Sequence, residues 1–202
     1  MTGYKIANLD LLLKEIGEEK TKEILADYLC PLNQDVEDFL KRNAIPFSRQ
    51  GLAKTHLVFA SKNGACALAG YFTLATKVLL IKRSKKLGSK LNSRLRKFSR
   101  IIDETDTYQI SAPLIAQIGK NFFDHNDRLI SGDELLKIAC DKVQNIHSEI
   151  GGKVVYLECE DKPRLREFYE RNGFREFDRR PLDKTDRDLF KADYLVQMLR
   201  YF

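Results

Sequence analysis

VVYLECEDKPRLREFYERNGF, Val154 to Phe174, decides how the chain is read. Val154, Val155, Tyr156 and Leu157 make a β-rich apolar run too short for a helix, entered through the breaker pair Gly151-Gly152. Pro163 suits a first helical turn, where its missing N–H costs nothing, and Gly173 suits the left-handed residue past a helix end. The stretch therefore predicts a buried strand, a sharp corner and a helix of about ten residues. On that helix Leu165, Phe168, Tyr169 and Asn172 share one face, and Glu167 can pair with Arg171 on the other. Two readings of Tyr169 stay open: a core aromatic with its hydroxyl at the rim, or a phenol presented for chemistry.

The chain around this stretch has 202 residues, 43% hydrophobic and 32% charged, which predicts one soluble globular domain over residues 1–202. No apolar run approaches the roughly 20 residues of a membrane span, and MTGYKIANLD lacks the zones of a signal peptide, so a cytoplasmic protein without a membrane partner is expected. Cys30, Cys66, Cys140 and Cys159 contain no CxxC pair, and His56, His125 and His147 are equally dispersed, which argues against zinc or a disulfide framework.

The net charge of +6 is unevenly placed. Between Lys77 and Arg100 there are ten Lys or Arg and no acid, a block that attracts polyanions such as RNA through phosphate contacts and counterion release. Phe98 is its one aromatic, so no stacking platform for bases is evident, and a solvated helix face is the alternative.

Apolar spacing from Ile6 to Leu29, interrupted at Gly17, predicts two short helices, so residues 1–29 are expected to form a helical extension. Asn33 is a candidate N-cap for a third helix through Val36, Phe39, Leu40 and Ala44, ending near Pro46. Asn63-Gly64 between Thr55–Ser61 and Ala65–Thr76 is a strong hairpin signal, and Gly70 invites a bulge or a close approach. Leu87, Leu91, Leu95 and Phe98 can line one helix face in the basic block. Tyr108 to Asn121 reads as a strand that cannot be uniformly paired, because Pro113 lacks a donor and Gly119 invites a bend. Ser131 and Glu134 have capping-box spacing and open a helix that would bury Leu135, Leu136, Ala139, Val143, Ile146 and Ile150. After Phe174, DRRPLDKTDRDLFKAD reads as a polar excursion before a terminal strand, YLVQMLRYF.

Taken together, GYFTLA (Gly70 to Ala75), PLIAQIGKN (Pro113 to Asn121), SGDELL (Ser131 to Leu136) and above all FYERNGF (Phe168 to Phe174) resemble the GNAT superfamily of N-acetyltransferases. The resemblance implies an α/β (mixed α+β) fold: a central splayed mixed sheet flanked by helices, with acetyl-CoA lying where two parallel strands part. Backbone groups near Ile118 and Lys120 would then bond the pantetheine arm, Phe168 would line the cofactor, and no metal would be needed. The pyrophosphate would sit at the run Asp127-Arg128-Leu129-Ile130-Ser131-Gly132, where free helix amides favour anions. This run departs from the family pattern. Its leading residue is acidic, Ile130 stands where the first glycine is usual, and Asp133 and Glu134 add negative charge; Arg128, Ser131 and Gly132 remain as donors.

The implied chemistry is direct attack of an amine on the thioester, with Tyr169 protonating the departing sulfur. Glu158 is a candidate base, since Glu158 and Glu160 would point to one face of a regular strand, but an acceptor of low pKa would need none. The N-terminal half, from Cys30 through GYFTLA, is similar to toxin-type GNAT enzymes that acetylate aminoacyl-tRNA. That implies an antitoxin partner, an RNA-borne acceptor meeting the block Lys77 to Arg100, and compatibility with a homodimer. The alternative from another class is a GNAT-like module without catalysis that binds CoA or nucleic acid.

Overall fold

The computed structural model describes residues 3–84, 87–182 and 193–202. In chain order the elements are β1 (Tyr4–Asn8), α1 (Leu9–Ile16), α2 (Glu18–Ala26), α3 (Gln34–Asp38), a π-turn (Phe39–Asn43), α4 (Ala44–Arg49), β2 (Lys54–Lys62) and β3 (Ala65–Lys82). They continue with α5 (Gly88–Arg96), β4 (Arg100–Ile102), β5 (Thr107–Lys120), α6 (Gly132–Ile150), β6 (Val154–Cys159), α7 (Pro163–Arg171), β7 (Arg175–Pro181) and β8 (Tyr194–Tyr201). The strands follow the hydrogen-bonded order β1-β2-β3-β5-β6-β8-β7, with β4 on β5, in a mixed sheet flanked by helices. The chain divides into two compact units, Met1–Ala75 with Ile115–Ala139 and Thr76–Leu114 with Cys140–Phe202.

The first unit begins with a strand rather than a helix. β1 pairs antiparallel with β2 from Tyr4 opposite Ala60 to Asn8 opposite His56, which corrects the expectation of a helical extension over residues 1–29. The helix starts only at Leu9, because the Asn8 side chain caps it by accepting from the Asp10 amide at 2.8 Å. Ile6 has helical spacing to Leu9, and that spacing is overridden by pairing along β2. Gly17, at φ 84°, ends α1 as expected.

The expected third helix is longer and interrupted. Asn33 caps it, accepting from the Asp35 amide at 3.0 Å, but it runs past Pro46 to Arg49. Pro46 has no N–H to give the Arg42 carbonyl, and the π-turn just before it, closed by the Ala44 amide on the Phe39 carbonyl, is where the chain accommodates the ring.

Asn63 and Gly64, at φ 51° and 81°, form the tight turn between β2 and β3. The ladder jumps from Val58–Gly70 to Phe59–Leu68, leaving Ala69 unpaired as a bulge. A side-chain carbon at Gly70 would lie 2.8 Å from the Gly119 carbonyl oxygen and 3.1 Å from Leu135, so both reasons for a glycine there hold. The helices close over Leu9, Leu25, Tyr28, Leu40, Leu57 and Tyr71, each at most 1% exposed. Full burial of such a side chain contributes about 1.5–3 kcal/mol before entropy.

In the second unit Leu79, Ile81, Leu95, Ile110, Val154 and Leu199 form the core. β6 pairs with β8 from Val154 opposite Tyr201 to Cys159 opposite Val196, and β7 pairs with the other side of β8. β7 was not expected: its Asp178, Arg179, Arg180 and Pro181 opened the polar excursion. It stands last in the strand order, where charged side chains and a terminal proline are tolerated. The rest of that excursion, residues 183–192, lies outside the described residues.

α5 is shorter than the apolar spacing suggested. Leu87 and Leu95 are buried, but Phe98 falls beyond the helix end, exposed, with its ring 6.1 Å from that of Tyr201. α6 buries Leu135, Leu136, Ala139 and Val143 as expected, whereas Ile150 is 79% exposed because the helix ends there, ahead of Gly151 and Gly152 at positive φ. Along β5 the buried positions step Tyr108, Ile110, Ala112 and then Ile115, so strict alternation breaks across Pro113.

Candidate active site

Apart from Phe168, the expected co-substrate residues fall on one stretch of the first unit, from the end of β5 to the start of α6. Gln117, Ile118, Gly119 and Lys120 end β5 and are all half-buried. The pleat turns Gln117 and Gly119 to the side where Tyr28, Val36 and Asp35 lie. A carbon on Gly119 would come within 2.5 Å of the Tyr28 hydroxyl and 2.6 Å of Val36 Cγ1. Lys120 sends its Nζ to the Asp127 carbonyl at 2.9 Å, which ties the strand end to the loop that follows.

That loop passes Asp124 and His125, both left-handed, before entering α6. Arg128 is exposed and has no acidic partner among the described residues. Ile130 is 2% exposed, so its side chain is core and only its backbone is available to a ligand. The Ser131 amide and hydroxyl donate to Glu134 Oε2 at 2.9 and 2.7 Å, and the Glu134 amide donates back to Ser131 Oγ at 3.1 Å. The capping box is therefore formed. Hydrogen bonds from the Ser131 amide, then from its hydroxyl and from Tyr4, hold the Glu134 carboxyl below the usual range. An anion seeking the Ser131 amide meets a carboxylate already in place, which leaves the Gly132 amide and Arg128 as the nearest donors.

Phe168, Tyr169 and Glu158 lie in the second unit. Tyr169, on α7, is 6% exposed, packed edge-on against Phe168 at 5.0 Å and Phe174 at 5.9 Å between ring centres. Burial raises its phenol well above the ordinary tyrosine value, with the neighbouring Cys159 adding to the shift, so it stays protonated at neutral pH. No hydrogen bond ties its hydroxyl among the described residues. Arg166, one turn earlier, bonds Glu176 on β7 at 2.5 Å and Asp161 at 3.1 Å, clamping α7 at both ends of the guanidinium. Arg171 stands over the Phe168 ring at 5.1 Å.

Glu158, the candidate base, stands on β6 with both carboxylate oxygens in contact with other side chains. Its Oε2 takes Arg180 Nε at 2.9 Å and its Oε1 takes Gln197 Nε2 at 2.7 Å, directly across the β6–β8 ladder. With both oxygens engaged, one by a cation, it ties strands together. Burial pushes the Cys159 thiol up to about 12 and raises that of Cys30, so neither is a ready nucleophile. Among the described residues no three His, Cys, Asp or Glu gather as a metal site.

Two features had no signal in the sequence. Gln117 Nε2 donates to Asp35 Oδ2 at 2.8 Å, joining residues 82 positions apart, and the buried Tyr28 ring stands edge-on to that of Tyr71 at 5.1 Å between centres. Spacing alone does not reveal such long-range pairs.

The basic block is a surface. Lys77, Lys82, Arg83, Lys90, Arg94, Arg96, Lys97 and Arg100 are exposed, while Lys85 and Lys86 lie outside the described residues. Among the described residues only Arg83 of this set forms an ion pair, with Asp106 at 2.8 Å. No described helix is long and apolar enough to cross a membrane.

A mixed sheet in this strand order with these helices has the GNAT-type acyltransferase fold. Among solved structures, a tyrosine-to-phenylalanine mutant of KacT is 12% identical with TM-score 0.62, the match covering 96% of this chain and 94% of that one. AtaT complexed with acetyl-methionyl-tRNAfMet is 13% identical with TM-score 0.60, covering 96% and 93%. AtaTR bound with acetyl-CoA is 13% identical with TM-score 0.55, covering 98% and 93%. No family model and no curated protein sequence matches the chain. At these identities the likeness shows the fold and no more.

Proposed function

We propose that this chain is an acetyl-CoA-dependent N-acetyltransferase whose acceptor is an amine carried on RNA, the α-amine of an aminoacyl-tRNA. The observation that carries the reading is Tyr169: a buried phenol, held protonated, on the short helix after β6. The solved fold neighbours include tyrosine-to-phenylalanine mutants of AtaT and KacT, and AtaT complexed with acetyl-methionyl-tRNAfMet.

In this reading the amine nitrogen attacks the thioester carbonyl, the carbon–sulfur bond breaks, and the Tyr169 proton passes to the thiolate of CoA. The acetyl-CoA arm runs along Ile118 to Lys120. Arg128, the backbone of Ile130 and Gly132 meet its phosphates, and Ser131 joins them once Glu134 moves aside. Glu158 takes no part. The exposed cations of β3, α5 and β4 receive the RNA backbone. An antitoxin is the protein partner, by analogy with AtaT bound to the C-terminus of AtaR.

The Glu134–Ser131 contact favours one other reading, a module of this fold that binds without catalysing. Calorimetry with acetyl-CoA and transfer assays with charged tRNA, peptides and polyamines separate the two. Micromolar acetyl-CoA binding with acetylation of charged tRNA supports the enzyme, and turnover only of other amines removes the RNA acceptor. Absence of binding leaves the module.

A further inference from the structure

The enzyme reading leaves one proton without a destination, because the acceptor amine must shed one as it attacks and Glu158 is occupied by Arg180 and Gln197. The first unit holds a carboxylate placed for that role. Asp35 lies in the first turn of α3, its amide fixed on Asn33 Oδ1 at 3.0 Å and its Oδ2 fixed by Gln117 Nε2 at 2.8 Å. Gln117 precedes Ile118 on β5, so the carboxylate is anchored to the strand segment proposed to carry the thioester.

Its charge balance is unusual for this helix. The two carboxylates that follow it are each paired with a cation one turn on, Glu37 with Lys41 at 2.8 Å and Asp38 with Arg42 at 3.6 Å. Asp35 is half-buried, and among the described residues its only side-chain partner is a neutral amide. A partly desolvated carboxylate without a counter-ion favours a cation from outside, and Oδ1 is left to receive it. Val36 and Tyr28, both buried, pack against the bare Gly119 backbone beside this carboxylate.

We propose that Asp35, held by Gln117, binds the acceptor as its ammonium and takes one proton from it as the nitrogen attacks. The first N–H bond breaks toward Asp35 Oδ1, and the freed nitrogen pair bonds the thioester carbon; the carbon–sulfur pair leaves with sulfur, which takes the Tyr169 proton, and the second N–H proton passes through water to the Tyr169 phenolate, so that a neutral amide and free CoA thiol result. The inference rests on the acetyltransferase reading and adds its acceptor-binding residue.

The test uses the full chain and three variants. Asp35→Asn keeps an acceptor for the Gln117 amide and removes the charge; Asp35→Glu restores the charge on a longer arm; Gln117→Leu removes the holder and keeps the charge. Binding is measured by NMR titration with methioninamide, which carries an α-ammonium, and with N-acetylmethioninamide, which does not; acetyl-CoA binding is measured separately by calorimetry. Methioninamide should bind the wild type, at least tenfold more weakly to Asp35→Asn, with partial recovery in Asp35→Glu and partial loss in Gln117→Leu. The acetylated probe should bind all four alike, and acetyl-CoA affinity should not change. Equal methioninamide binding by wild type and Asp35→Asn, or none by a wild type that binds acetyl-CoA, overturns the proposal. Loss of the acetyl-CoA arm alone removes the transferase reading and leaves Asp35 an ammonium site.

Discussion

Glu134 folds back on Ser131, its Oε2 accepting from both the amide and the hydroxyl that open α6. An internal carboxylate thus occupies the position where an anionic ligand would gain most from the helix start. Glu134→Gln keeps an acceptor for the amide and removes the charge. Acetyl-CoA affinity should rise about two- to fivefold, the equivalent of the 0.3–1 kcal/mol of a charge at a helix end. Calorimetry at low salt checks it, and unchanged or weaker binding would show that the carboxylate does not compete. Ser131→Ala should cost about 1 kcal/mol of stability through loss of the cap.

Tyr169→Phe should slow acetyl transfer by roughly tenfold or more while leaving acetyl-CoA affinity in place, in line with loss of a general acid. Burial raises the phenol, so its deprotonation moves to higher pH and the acid form persists through the ordinary tyrosine range. The wild-type rate should therefore show no alkaline fall from this group below about pH 10. A fall that disappears in the phenylalanine variant would contradict the buried placement.

The close approaches at two glycines predict a graded stability series. Gly119→Ala places a carbon against Tyr28 and Val36, and Gly70→Ala places one against the Gly119 carbonyl. Each should cost about 1–3 kcal/mol by overpacking. Gly70→Ala should cost more, since its obstacle is backbone. Gly3→Ala, with nothing within 4 Å, should stay within about 0.5 kcal/mol. Urea unfolding of the three variants is the measurement.

Asp10 links the first unit to pH. Burial alone would raise its carboxyl, but hydrogen bonds from Lys54 and Ser48 outweigh that and hold it below the ordinary aspartate value. A depressed folded value means stability that is fully present above the unfolded value, near 3.9, and is lost as pH falls through the folded one. Asp10→Asn should be less stable than wild type at neutral pH, with the gap narrowing as the pH is lowered past about 4. Urea midpoints across that range decide it; a gap independent of pH would rule out the linkage.

Exchanging Lys90, Arg94 and Arg96 for glutamine should weaken tRNA binding and lower its salt slope by about 2–3 if each meets a phosphate. Filter binding at several salt concentrations reads both quantities. An unaltered slope would return α5 to a solvated helix face.

Local chemistry made much of this architecture readable. The Asn63-Gly64 turn, the Ser131–Glu134 cap, the Pro163 start and the Gly17 stop each depend on a few neighbouring residues, and each stands where its pattern put it. What escaped depends on partners far along the chain. β1 is five residues whose strand state comes from β2, and β7 is a charged edge whose partner, β8, follows a long interval. The π-turn before Pro46 is a compromise between helix continuation and a missing donor, which periodicity cannot display. The short helix that carries Tyr169 was legible because its motif is local. The engagement of Glu158 by Arg180 and Gln197, and of Asp35 by Gln117, required three-dimensional proximity.

The unpaired Ala69 has a bearing on how the molecule is assembled. A hairpin closed by two residues has the shortest possible loop to nucleate, so β2 and β3 can zip early, before distant segments arrive. Such a zipper could slide, but the bulge acts as a ratchet tooth: any slip sets the kink against the wrong partner and moves Gly70 off the one place where another backbone must pass. A mis-registered intermediate is thereby barred from admitting β5 and can only unzip and try again.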